Sequence, residues 1–190
     1  MSTALLVIDV QNDFCEGGAL AVAGGSTVAT DITRFVADSD YDRVVATRDY
    51  HIDPGGHFSD NPDFVSSWPV HCVAGTPGAS WHPELDVSAI SAVFSKGQYS
   101  DGYSGFEGET RTGKQLPDWL REHHVTAVDV VGIATDHCVR ASALDAARAG
   151  FDTRVLLGLT AGVSRSTVDT ALAELSDAGV LLQGTAHRPE

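Results

Sequence analysis

Positive charge is scarce in this sequence. Twelve Lys and Arg stand against 26 Asp and Glu in 190 residues, a formal net charge of −14. A nucleic-acid binder needs a basic face to displace counterions from phosphates, and an anionic bilayer attracts the same kind of face. The composition therefore argues for no nucleic acid and no membrane as partner, and the charge reads first as solubility. Long apolar runs are also missing. The N-terminal stretch from Ala4 to Val10 is broken by Asp9 and has no basic lead-in. It reads neither as a signal peptide nor as a membrane span. Cysteine is rare: Cys15, Cys72 and Cys138 are odd in number and widely spaced. That excludes a visible disulfide framework or CxxC zinc site, and a reduced, cytoplasmic protein is the simplest expectation. No repeat, low-complexity tract or linker divides the chain. One domain over residues 1–190, long enough to bury a full core, is expected.

What is present is alternation. Short β-rich apolar runs are expected as strands at Leu5–Asp9, Arg43–Thr47, Ala89–Phe94, Ala127–Ile133, Thr153–Leu157 and Val180–Gln183. Helical patterns fall between them, at Thr27–Asp38 with Ser26 as cap, Leu116–His123, His137–Ala149 and Ser166–Ala178. Gly150 and Gly179 stand where left-handed helix terminators belong. Strand–helix alternation predicts an α/β fold: a three-layer α/β/α sandwich around a mostly parallel sheet. The stretch from Asp49 to Ile90 breaks the rhythm and is rich in Gly, Pro, Ser, His and Trp. A loop of that length in a compact domain is usually functional, and it reads as an insertion around residues 49–90.

In open α/β sheets, ligands bind beyond the carboxyl ends of the strands. Asp9, Asp49, Lys96 and Cys138 all belong to that edge. Cys138 begins a helix, where the dipole and free N–H groups favour a thiolate, and a nearby Lys96 would favour it further. The same N–H groups could hold an oxyanion. Taken alone, Cys138 reads equally well as a buried, inert thiol, and Cys15 and Cys72 are assigned to that kind. In TRDYHIDPGGH, Asp49 and His51 at i and i+2 share a face, and a Pro-Gly-Gly turn brings back His57, with His71 further on. One carboxylate and up to three imidazoles suit one divalent zinc, iron or manganese ion. His82, His123, His124 and His187 read as surface residues.

Six co-linear stretches resemble the isochorismatase-like cysteine hydrolases, and within them the nicotinamidase/pyrazinamidase group of mycobacterial type. They are VIDVQNDFCEGGAL, ATRDYHIDPGGHFS, SSWPVHCVAGTPGA, FSKGQYSDGYSGFEG, VVGIATDHCVRASALDA and LTAGVS. The resemblance implies a catalytic triad of Asp9, Lys96 and Cys138, and metal ligands at Asp49, His51, His57 and His71. It implies a cis peptide between Ile133 and Ala134 and an oxyanion hole from the N–H groups of Ala134 and Cys138. The implied pocket is lined by Phe14, Leu20, Trp68, Tyr103, Ile133 and His137. The implied reaction is hydrolysis of nicotinamide, with pyrazinamide as a second substrate, by a monomer or small homo-oligomer. Competing expectations are a carbamoyl or ureido amidase of the same fold, and a metal- or redox-sensing module without turnover.

Overall fold

The computed structural model describes residues 2–189. Six strands form one sheet: β1 (Ser2–Ile8), β2 (Arg43–Asp49), β3 (Ala92–Lys96), β4 (Val125–Ile133), β5 (Asp152–Ala161) and β6 (Leu181–Gln183). Their spatial order is β3-β2-β1-β4-β5-β6, and every neighbouring pair is parallel. Four α-helices lie in the connections other than that from β2 to β3: α1 (Gly25–Ala37), α2 (Leu116–Glu122), α3 (Arg140–Arg148) and α4 (Arg165–Asp177). The expected α/β sandwich is the one observed.

Both faces of the sheet are covered, which is why its central strands are apolar without interruption. Side chains alternate across β1. Leu5 and Val7 join Val28, Ala29 and Ile32 of α1 on one face. Leu6 and Ile8 join Leu116, Leu120, Ala143, Val168 and Leu175 of the other three helices on the opposite face. Each such buried Val, Leu or Ile side chain contributes roughly 1.5–3 kcal/mol through area removed from water. The segment 50–91, with little regular structure, packs Ala79 and Leu85 against the α1 face.

Several expected boundaries are corrected: the helix expected from His137 starts at Arg140, after a wide turn, and the strand expected to end at Leu157 runs to Ala161. The third strand runs to Lys96 instead of ending at Phe94, because Tyr50 N–H and the β2 register extend its pairing. Ser26 does not cap α1. Gly24 occupies that position, and the Glu16 carboxylate accepts from Gly24 N–H, Ser26 N–H and the Ser26 hydroxyl.

The strand order reverses between β1 and β4, and a crevice opens there at the carboxyl edge. Gly132 lets the two strands meet: a Cβ on it would lie 2.1 Å from the Ile8 carbonyl oxygen, and its φ is +115°. Immediately beyond come Asp9, with φ +49°, and the Ile133–Ala134 peptide, which is cis.

Candidate active site

Four strand ends feed the crevice. Asp9 follows β1, Asp49 closes β2, Lys96 closes β3, and Cys138 lies in a wide turn, Thr135–Val139, between β4 and α3. The Ala134 carbonyl accepts from both His137 and Val139 N–H, which opens that first turn. Lys96 is 1% exposed. A charge so deeply buried must be matched, and its three-proton ammonium faces three oxygens. Asp9 Oδ2 and the Gly102 carbonyl each stand 2.7 Å away, and Asp49 Oδ1 forms a shorter contact. Cys138 Sγ is the fourth neighbour, at 3.7 Å. Thr47 donates to the other oxygen of Asp9 at 2.7 Å.

Burial dominates the electrostatics. It pushes Asp9 above the usual carboxylate range against the pull of Lys96, with Asp49 adding to the rise. It pushes the Cys138 thiol well up, Lys96 opposing and both carboxylates assisting. Burial alone would lower Lys96, but Asp49 and Asp9 outweigh it and keep the ammonium charged. The pull toward a thiolate from Lys96 is thus opposed: burial and the two carboxylates beside the sulfur favour the neutral thiol. Cys15 and Cys72, also buried, are held protonated by desolvation.

A second centre adjoins the first. His51, His57 and His71 each offer a ring nitrogen, and these atoms lie within 4.8 Å of one another. The long loop arranges them through strand-like pairings. His51 N–H donates to the Cys72 carbonyl and Ala74 N–H to the His51 carbonyl, which draws His71 in. Trp68 N–H donates to the His57 carbonyl. Asp49 faces both centres: its Oδ2 is 3.6 Å from His51 Nε2 and 3.9 Å from His71 Nε2. His51 Nδ1–H donates to the Gly97 carbonyl at 2.5 Å and His71 Nδ1–H to the Pro69 carbonyl at 2.7 Å, leaving each Nε2 a lone pair. His51 Nε2 and His57 Nδ1 are buried without hydrogen-bond partners. Burial, with the neighbouring imidazoles, lowers His57 to about 4, and burial lowers His71. Three buried imidazoles, each with a ring nitrogen left over for a ligand, beside a carboxylate are the donor set a transition metal ion takes.

Both centres open into a pocket of about 580 Å³. Phe14, Leu20, Trp68, Tyr103, Ile133 and His137 all line it, with Ala134 and Cys138 at its floor. Trp68 Nε1–H donates to the Tyr103 hydroxyl at 2.8 Å, and its ring meets His137 edge-on at 5.2 Å.

Sequence reasoning missed the supports. Gln11 clamps Asp49, donating to its carbonyl and accepting from its N–H, both at 2.8 Å. The buried Asp136 accepts from Val163 and Ser164 N–H and from the Thr167 hydroxyl, fastening the cysteine turn to α4. The adjacency of Gln11 to Asp9 and of Asp136 to Cys138 is the signal that could have found them. Three of the four histidines read as surface residues are half-buried. His123 stacks on Trp119 at 3.8 Å, and His187 pairs through its backbone with Thr160 and Gly162.

Residues 3–187 match the isochorismatase domain. The chain is 61% identical over 180 residues to the nicotinamidase/pyrazinamidase of Mycobacterium tuberculosis, covering 94% of this chain and 97% of that protein. A crystal structure of an L. infantum protein in complex with nicotinate superposes with a TM-score of 0.85 at 35% identity, over 95% and 91% of the two chains. The pyrazinamidase of Pyrococcus horikoshii in complex with zinc superposes with a TM-score of 0.80 at 35% identity, over 97% and 100%.

Proposed function

The chain belongs to the isochorismatase domain family, and from that premise we propose that it is a nicotinamidase, hydrolysing nicotinamide to nicotinate and ammonia. Pyrazinamide, with the same ring nitrogen and carboxamide, is its second substrate. One observation carries the reading: a buried cysteine sulfur 3.7 Å from a lysine that is ion-paired to an aspartate, at the floor of a pocket bordered by histidines and flat aromatic rings.

In the proposed mechanism Asp9 is the general base. It takes the proton of the Cys138 thiol, and the sulfur attacks the carboxamide carbon. Burial raises Asp9, which strengthens it as a base, and raises the Cys138 thiol, while Lys96 remains charged and limits the cost of the thiolate. The N–H groups of Ala134 and Cys138 receive the oxyanion. Asp9 then gives its proton to the departing ammonia, leaving a thioester on Cys138. A water deprotonated by Asp9 hydrolyses that thioester and frees the acid. Asp49, His51, His57 and His71 would hold one divalent ion, zinc, iron or manganese. Bound there, the ion supplies a Lewis-acid anchor for the ring nitrogen, directly or through water. Trp68 and Phe14 pack the ring, and Leu20, Tyr103, Ile133 and His137 complete its walls.

We read the protein as a single cytoplasmic domain, working as a monomer or small homo-oligomer on a neutral small molecule. Among the described residues no helix is long and apolar enough to cross a membrane. Ammonia release from nicotinamide tests the function: the wild type should turn over, and Cys138→Ala should lose activity by several orders of magnitude. Near-normal release by Cys138→Ala would sink the mechanism. Indifference of the wild type to nicotinamide, with turnover of a carbamoyl or ureido amide, would transfer the function to that neighbouring class.

A further inference from the structure

A metal-binding histidine uses both ring nitrogens. One faces the ion, and the other donates to an acceptor that fixes the ring and raises its basicity. His51 and His71 have such acceptors in the Gly97 and Pro69 carbonyls. His57 departs from this pattern. Its side chain is 3% exposed, and its buried Nδ1 has no hydrogen-bond partner. The group that faces this nitrogen is the Asp101 carboxylate, with Oδ1 3.6 Å away. Asp101 lines the pocket mouth, and its side chain is 57% exposed, so it has the freedom to close that gap. There is also a need for its charge. Asp49 gives one oxygen to Lys96 and only the other to the imidazoles. A dication among neutral histidines would be undercompensated by that half-shared carboxylate.

We propose that Asp101 is a positioning residue of the metal site, accepting the Nδ1–H of His57 so that Nε2 turns to the ion. The proposal rests on the metal reading above. It gives the third imidazole a carboxylate partner on a solvent-facing loop, where the first two have fixed carbonyls. Metal affinity in this chain is accordingly set in part by a residue outside the four ligands.

Metal-depleted protein, titrated with Mn²⁺ by calorimetry and with Zn²⁺ against a chelator, tests it without reference to activity. Asp101→Ala should weaken both metals about 10- to 100-fold. Asp101→Asn, whose amide oxygen still accepts the N–H, should fall between the two. Because Asp101 is exposed, the metal-free variants should melt with the wild type. In a His57→Ala background, adding Asp101→Ala should cost nothing more. An Asp101→Ala affinity within twofold of wild type overturns the proposal and leaves the metal reading standing. So does an equal loss with and without His57. A wild type that binds neither metal removes the metal reading and this proposal together.

Discussion

At Cys138 two influences oppose each other. The turn at the head of α3 and the Lys96 ammonium favour a thiolate, and these are what a strand–turn–helix pattern makes visible. Burial and the charges of Asp9 and Asp49 favour the thiol, and these depend on three strand ends meeting. Proximity of that kind is not written in local spacing, so the residue types were legible and their balance was not. Thr47, whose hydroxyl donates to the Asp9 carboxylate, tests the balance. Its hydroxyl holds Asp9 down, so Thr47→Val should raise Asp9 further. The base would then be available only at higher pH. The acidic limb of the kcat/KM profile should move upward, with the plateau above it largely retained, since a base of higher pKa is not a weaker one. A profile superimposable on the wild type would exclude Thr47 from setting the base.

Among the elements, strands were the most legible, because parallel strands buried on both faces are continuous apolar runs. The same logic hid the ends of β2 and β3. Asp49 and Lys96 are charged, and hydropathy placed them after the strands, whereas mutual neutralisation lets them sit inside. The start of α1 was misread for a related reason: its cap is a carboxylate eight residues back, supplied by a turn. Desolvation opposes ionisation of Glu16, but its hydrogen bonds to Ser26 and Gly24 prevail and hold it at about 2 against an ordinary 4.5. A carboxyl lowered on folding stabilises above its unfolded value and loses that contribution as pH falls through its folded one. Glu16→Gln should therefore cost about 1 kcal/mol near neutrality, as loss of a helix cap does. The difference between the two denaturant midpoints should shrink between pH 4.5 and 2. A difference independent of pH would mean that packing, and not charge, is what Glu16 supplies.

On the scale of the whole molecule, the sheet order places the thiol and its base on opposite sides of the reversal between β1 and β4. The long 50–91 segment then carries His51, His57 and His71 over the same crevice. Its role was legible from composition and length, but its path was not, since isolated pairings such as His51 with Val73 and Phe58 with Trp68 have no sequence period. An ion held by β2 and this loop should stabilise the native state against unfolding. At a free concentration 100 times its Kd the gain is about 2.7 kcal/mol, or roughly 5–10 °C in Tm for a chain of this size. Calorimetric scans with added Mn²⁺ and with chelator should differ by that amount. Coincident scans would mean that no ion binds the folded chain.

One short loop serves both centres. Its Gly97 carbonyl holds His51, its Gly102 carbonyl receives Lys96, and Tyr103 receives Trp68. The loop closes tightly, and a Cβ on Gly102 would lie 2.4 Å from the Gly97 nitrogen. Between these anchors Tyr99 is 72% exposed. A break or an inserted residue there would disconnect the lysine's acceptor and the histidine's together. Because Lys96 is also the last residue of β3, the edge of the sheet would feel the same break.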